Sequence, residues 1–151
     1  MSKQEKKHSL SFQNKRVYFD YNIFEKFEAG IVLTGTEVKS IRESKVSLNG
    51  AFCLFNDKEL FLKGSDVAAY KEGSYMNHDP KRDRKLLLHR KELNKLKKKL
   101  EEKGLTIVPI RLYSNEKGMF KIEIGLAKGR KAVDKRNYIK DREIQRELKE
   151  Y

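Results

Sequence analysis

Apolar and polar positions alternate along this chain in two rhythms. In "LTIVPIRLYSNEKGMFKIEIGLA", residues 105–127, Ile107, Ile110 and Leu112 answer Phe120, Ile122, Ile124 and Leu126 across the polar "SNEKG". A period of two on both sides of a turn predicts a hairpin. Lys121, Glu123 and Gly125 then point away from the core, toward solvent or a ligand, and Pro109, which cannot donate to a ladder, belongs at an edge or a bulge. "AFCLFNDKELFLKG", residues 51–64, predicts a second hairpin. The helical rhythm shows in "RKELNKLKKKLEEKG", residues 90–104, where Leu93, Leu96 and Leu100 form a stripe, Lys97, Lys98 and Lys99 face water, and Gly104 closes the helix. Val38 and Ile41 predict a short helix at about 36–43, capped by Thr34 or Thr36 with Glu37 in its first turn. "VYFDYNIFEKFEAGIVL", residues 17–33, predicts a strand, a break between Glu25 and Gly30, and a second strand.

Five or six strands without βαβ alternation imply a mostly β fold, a small antiparallel barrel of the oligonucleotide-binding (OB) type with two or three flanking helices. The barrel is expected over residues 17–133. Residues 1–16 carry only Leu10 and Phe12 as sizeable apolar groups and predict a flexible basic arm. Residues 134–151 predict a basic tail. Its apolar stripe, Ile144, Leu148 and Tyr151 with Tyr138 nearby, is thin, so the tail is expected to be disordered when free and ordered on a partner; the competing reading is a final helix docked on the barrel.

Charge narrows the choice of partner. The 151 residues hold 35 Lys and Arg against 22 Asp and Glu, a formal charge of +13. Such an excess favours a polyanion, most simply a nucleic acid, whose phosphate contacts gain from counterion release. Cys53 is the single cysteine, which excludes an intrachain disulfide and a thiolate cluster. No apolar run approaches the roughly 20 residues that span a bilayer, and no secretion signal opens the chain, so a cytoplasmic protein without a membrane partner is expected.

Candidate chemistry is that of binding. His8, His78 and His89 are too scattered for a catalytic or metal set, and neither a cofactor pocket nor a nucleophile triad is expected. "HDPKRDRKLLLH", residues 78–89, concentrates Lys81, Arg82, Arg84 and Lys85 on a loop stiffened by Pro80, with Asp83 placed to orient an arginine: a grip on phosphate. "GLAKGRK", residues 125–131, lacks the glycine spacing of a nucleotide-binding loop but presents Lys128, Arg130 and Lys131 on a pliable backbone. Tyr18, Phe19, Tyr21 and Phe24 offer rings for stacking, and Glu28 in "KFEAG" offers a carboxylate that accepts from a base amino group or a 2′-hydroxyl. An rRNA-binding ribosomal or ribosome-assembly protein uses the same kind of surface.

"NKRVYFDYNIFEKFEAGIVLTGTEVKSIR", "HDPKRDRKLLLH" and "GLAKGRKAVDKR", in this order, resemble the SmpB family, the SsrA-binding proteins of bacterial trans-translation. The resemblance implies a non-enzymatic protein that binds the tRNA-like domain of transfer-messenger RNA. It implies delivery, in a complex holding elongation factor Tu and the alanyl-charged RNA, to stalled ribosomes, where the tail enters the vacant mRNA channel by the decoding centre and small-subunit rRNA. On this resemblance the RNA contacts fall on Tyr21, Glu28, Leu87, Lys128, Arg130 and Lys131. His89 stands where many relatives have asparagine and can donate in its place. Asp134, Lys135 and Arg136 open the ribosome-directed tail, which continues through Tyr138, Lys140, Arg142, Arg146 and Lys149.

Overall fold

A computed structural model describes residues 9–149. Its elements in chain order are β1 (Ser11–Gln13), α1 (Val17–Asp20), β2 (Tyr21–Ile31), α2 (Gly35–Arg42), β3 (Val46–Ser47), β4 (Phe52–Asn56), β5 (Glu59–Lys63), β6 (Asp66–Val67), β7 (Arg84–Leu87), α3 (Arg90–Lys99), β8 (Leu105–Ser114), β9 (Phe120–Gly129) and α4 (Ala132–Lys149). A single 3-10 turn, Ser74–Met76, lies between β6 and β7. The fold is mostly β with flanking helices.

Both expected hairpins form, β4 with β5 and β8 with β9. The large sheet runs β1-β8-β4-β5-β7-β2-β9, and β8 also pairs with β9, so the ladder returns on itself in an OB-like order. β3 and β6 make a separate two-stranded ribbon. Leu60, Leu62, Leu86, Ile107, Ile122 and Ile124 fill the interior with Ile41 of α2 and Leu96 of α3. A smaller cluster of Val17, Val108, Ile110 and Ala127 packs on the other side of the β8–β9 ladder, against Tyr21 and Ile23.

Several details differ from the sequence expectations. The break expected at Glu25–Gly30 is instead a bulge between Ile23 and Glu25 in a continuous β2, which leaves Phe24 exposed, and Tyr18 and Phe19 sit in the one-turn α1 rather than in a strand. Gly125 does not face solvent. A side chain there would start 2.8 Å from Ile23 Cγ2 and 3.0 Å from Ile110 Cδ1, because the second cluster covers this part of β9. α3 ends at Lys99 rather than Gly104: Leu100 is only partly buried, no apolar residue follows at helical spacing, and Gly104, at φ +83°, turns the chain into β8. At the head of α2 the cap is Thr34, whose backbone N–H donates to Glu37 Oε1 at 2.8 Å.

Pro109 does sit at a bulge, between Pro109 and Arg111. Opposite it β8 changes partner, pairing with β4 at Ile107 and with β1 at 111–113. Asn14 plugs the seam: its Nδ2 donates to Pro109 O at 2.9 Å and its backbone N–H to Ile110 O at 2.8 Å. The loose arm expected over residues 1–16 is therefore not loose at its end. Residues 11–13 are a strand, Leu10 and Phe12 pack on the core, and Asn14 is buried. Residues 1–8, the first half of that arm, lie outside the described residues.

Candidate nucleic-acid interface

Antiparallel register sets residues side by side on the outer face of the sheet. Leu87 of β7 lies opposite Gly30 of β2, Gly30 opposite Lys121 of β9, Lys121 opposite Tyr113 of β8, and Tyr113 opposite Ser11 of β1. The next row along the same face is Glu28, Glu123, Arg111 and Gln13. Directly opposed side chains share a face, and residues two apart along a strand do also, so both rows point outward while Phe27, Ala29, Leu112, Ile122 and Ile124 point in. Leu87 is 51% exposed, and Gly30 makes room for it: a Cβ on Gly30 would stand 3.3 Å from that of Leu87. Tyr113 Oη donates to the Glu28 carboxylate. The Arg111 guanidinium lies 4.0 Å from the centre of the Tyr113 ring, and its Nε is 3.4 Å from Glu123 Oε1.

A basic group occupies the other end of β2 and β9. Tyr21 lies opposite Gly129 and Asn22 opposite Lys128. Tyr21 is half-buried against the second cluster, which leaves part of its ring outward. Arg130 Nε donates to Tyr18 O at 3.0 Å, and its guanidinium is 4.8 Å from the ring centre of Tyr138. Lys128 and Lys131 are exposed. Seven residues of extended chain, about 23 Å at ~3.3 Å per residue, separate Tyr21 from Glu28. The two groups therefore form the ends of an elongated surface.

The 78–89 stretch is mostly something other than a phosphate grip. Arg84 is buried, and so is Glu37, whose Oε2 accepts from Arg84 Nε at 2.8 Å and from Arg82 Nε at 3.0 Å. Arg84 Nη1 also donates to Ser65 Oγ at 3.1 Å and to Arg82 O at 2.8 Å. Burial pushes the Glu37 carboxyl up, but the bonds from Arg82 and the Thr34 N–H, with the charges of Arg84 and Arg82, outweigh it and hold the group at about 2. Burial draws Arg84 down against the pull of Glu37, and from its high ordinary value the guanidinium stays charged. Asp83 pairs with Lys63 at 3.2 Å instead of orienting an arginine. His78 is spent on Thr36 Oγ1 and Val67 O, both at 2.8 Å. Arg84 is thus removed from the surface and Arg82 is largely committed inward. Lys81, Lys85 and the exposed helix cap His89 remain outside, Lys81 beside Asp66 and Lys85 paired with Glu59.

The tail forms α4, which has no buried residue. Tyr138 meets Phe19 edge to face at 6.3 Å, and Lys135 Nζ is 3.4 Å from Asp20. A shallow groove of about 380 Å³, lined by Arg16, Phe19, Tyr138 and Arg142 among others, separates α4 from α1. Asp134 Oδ2 accepts from the backbone N–H of Lys131 at 3.4 Å. Arg136, Lys140, Arg142, Arg146 and Lys149 project into solvent. Among the described residues no cluster of His, Cys, Asp or Glu could hold a metal; His8 and Tyr151 lie outside them. Cys53 is buried in β4, and burial pushes its thiol up, away from reactivity.

Tyr113 and Arg111 were not singled out by sequence reasoning, although the rhythm that buries Leu112 turns both outward. The Glu37 knot had no separate signal, since a glutamate in a first turn is explained by capping alone.

The model of the family described as "SmpB protein" matches residues 11–151. An "SsrA-binding protein" of Cytophaga hutchinsonii is 50% identical over 98% of this chain and 97% of its own length. One of Thermus thermophilus is 51% identical over 91% and 96%. A chain in the solved structure "tmRNA-SmpB: a journey to the center of the bacterial ribosome" is similar at 52% identity with a TM-score of 0.68, over 81% of this chain and 85% of that one. The chain belongs to the SmpB family, the SsrA-binding proteins.

Proposed function

We propose that this protein holds the tRNA-like domain of transfer-messenger RNA on its outer sheet face and carries that RNA to stalled ribosomes, with α4 as the ribosome-directed segment. Family membership makes it a non-enzymatic RNA-binding protein of the SmpB–tmRNA system in trans-translation. The observation that carries the finer reading is the elongated surface itself. Glu28 and Leu87 lie at one end, with Lys121 in the row of Leu87, and Tyr21 and Lys128 with Arg130 and Lys131 lie at the other. Cations along such a surface supply affinity without reading sequence, while a carboxylate and an exposed apolar side chain select shape and donor groups.

The double pairing of β8 supports a closed barrel of the OB type, formed by residues up to about 133 with β1 as its N-terminal addition. α4 has no buried residue, so little beyond the Tyr138–Phe19 and Lys135–Asp20 contacts holds its helix without a partner, and we place its full ordering at the moment the vacant mRNA channel offers a polyanionic wall. Elongation factor Tu and the alanyl-charged RNA belong to the same delivered complex. No helix among the described residues is long and apolar enough to cross a membrane, and the proposed site of action is the cytoplasm, with the ribosomes.

Competitive binding at fixed salt tests this, with the tRNA-like domain set against ordinary tRNA and an equal-length rRNA hairpin. Wild type should prefer the tRNA-like domain, Glu28→Ala should lose the preference, and Arg142→Ala with Arg146→Ala should keep it while weakening binding to empty small subunits. Equal affinity of wild type for all three RNAs overturns the reading in favour of general rRNA binding.

A further inference from the structure

Two carboxylates, Glu28 and Glu123, stand directly opposite each other on the outer face of β2 and β9. Like charges so placed repel, and each needs a donor. They receive different ones. Glu123 takes Arg111, Nε to Oε1 at 3.4 Å, which neutralises it. Glu28 takes the Tyr113 hydroxyl, which orients a carboxylate without cancelling its charge. Among the described residues no lysine or arginine forms a salt bridge with Glu28, although the chain carries an excess of cations. The same arginine that satisfies Glu123 lies 4.0 Å from the Tyr113 ring centre and holds that ring in place. Arg111 and Tyr113 are two apart on β8, so one short segment serves both carboxylates.

We infer that Tyr113 is a positioning residue for RNA recognition, holding the Glu28 carboxylate without a cationic partner and aimed outward for an RNA donor group, while Arg111 keeps Glu123 from competing for that donor. This rests on the reading of Glu28 as a carboxylate that contacts RNA. The Tyr113 hydroxyl occupies one carboxylate lone pair and restricts the side-chain rotation that an exposed glutamate otherwise enjoys. The oxygen left over meets a base amino group or a 2′-hydroxyl with part of its ordering entropy already spent. A lysine in the place of Tyr113 would bind Glu28 more strongly and remove the charge that recognises the donor.

A double-mutant cycle on the full chain tests the assignment, with affinity for the tRNA-like domain and for a generic RNA duplex of equal length as its two readouts. Tyr113→Phe keeps the ring under Arg111 and removes only the hydroxyl. It should weaken binding to the tRNA-like domain about 5- to 10-fold, roughly the loss of one ordinary hydrogen bond, and leave duplex binding and the melting temperature unchanged. In a Glu28→Ala background the same change should have no further effect, because the group it positions is gone. Tyr113→Lys should lower selectivity at least as much while raising duplex affinity.

If Tyr113→Phe weakens binding equally with and without Glu28, the tyrosine contacts RNA in its own right and the positioning role is overturned. If Glu28→Ala abolishes selectivity and Tyr113→Phe leaves it intact, the role is overturned while the carboxylate reading stands. If Glu28→Ala itself leaves selectivity intact, it is the carboxylate reading that fails, and the inference falls with it.

Discussion

Arg84 lies inside the protein with its Nη2 2.7 Å from Glu37 Oε2, and the two side chains are 1% and 0% exposed. Two distant segments, the head of α2 and the start of β7, are joined by this pair, and Arg82 adds a second guanidinium at 2.6 Å from the other carboxylate oxygen. Removing the carboxylate strands two arginines, one of them with no route to water. Glu37→Ala should therefore cost about 3–5 kcal/mol of folding stability. Urea unfolding of the variant measures it, and a loss below about 1 kcal/mol would show that the pair contributes no more than an exposed one.

The same carboxylate gives the protein a signature in acid. Its value falls from an ordinary 4.5 to about 2 on folding. Between those limits the unfolded chain binds a proton that the folded one does not, so stability rises with pH there. The contribution is complete above about pH 4.5 and is lost as pH falls toward 2. Unfolding midpoints across pH 2–5 should follow this course in wild type and flatten in Glu37→Gln.

Gly125 has no space for a side chain between Ile23 and Ile110. Gly125→Ala should overpack the second cluster and cost about 1–3 kcal/mol, read as a lower melting temperature. Pairing it with Ile110→Val, which removes the Cδ1 methyl 3.0 Å from the added Cβ, should restore part of the loss. Failure of that rescue would place the strain at Ile23 and the backbone instead.

Much of this was written in the period-two rhythm. The two hairpins, Pro109 at a bulge, Cys53 in a core strand, and Lys121 and Glu123 facing outward follow from local alternation and proline chemistry, which need no knowledge of distant residues. What the sequence hid depends on contacts far along the chain. Arg84 looks like any other arginine of a basic loop until Glu37, 47 residues away, is folded beside it. Gly125 breaks no local rule for an outward position until Ile23 and Ile110 cover it. Asn14 is one more polar residue of a basic arm until β8 offers two carbonyls at its bulge. Glu28 and Leu87 stood out through motif resemblance, whereas their neighbour Tyr113 needs the β2–β9–β8 register to be seen beside them.

The exposed cations near the end of β9 should register as counterions released. Lys128→Ala with Lys131→Ala should shallow the slope of log affinity against log salt by about 0.7–0.9 for each phosphate contact removed, with little change in preference among RNAs. A titration from low to moderate salt measures the slope. An unchanged slope would take both lysines out of the interface.

α4 is tied to the rest of the molecule mainly through Tyr138 against Phe19 and Lys135 against Asp20. Phe19→Ala should make the basic tail more sensitive to trypsin in the free protein while leaving the melting temperature of the sheet within about 1 °C, since the half-buried Phe19 belongs to neither core cluster. Unaltered cleavage would mean that the edge-to-face contact does not hold the helix.

The Asn14 plug also sets a timetable. Leu10 and Asn14 find their partners at Ser114 and Pro109, 104 and 95 residues away. A chain emerging from the ribosome N-terminus first has made these residues long before the strand that receives them exists, so the earliest segment of the fold synthesised is among the last to be fixed. Until β8 and β9 have closed their hairpin, β1 has nowhere to go. The short length of that strand, three residues ending in a polar side chain, keeps the waiting segment a poor template for pairing with a neighbour.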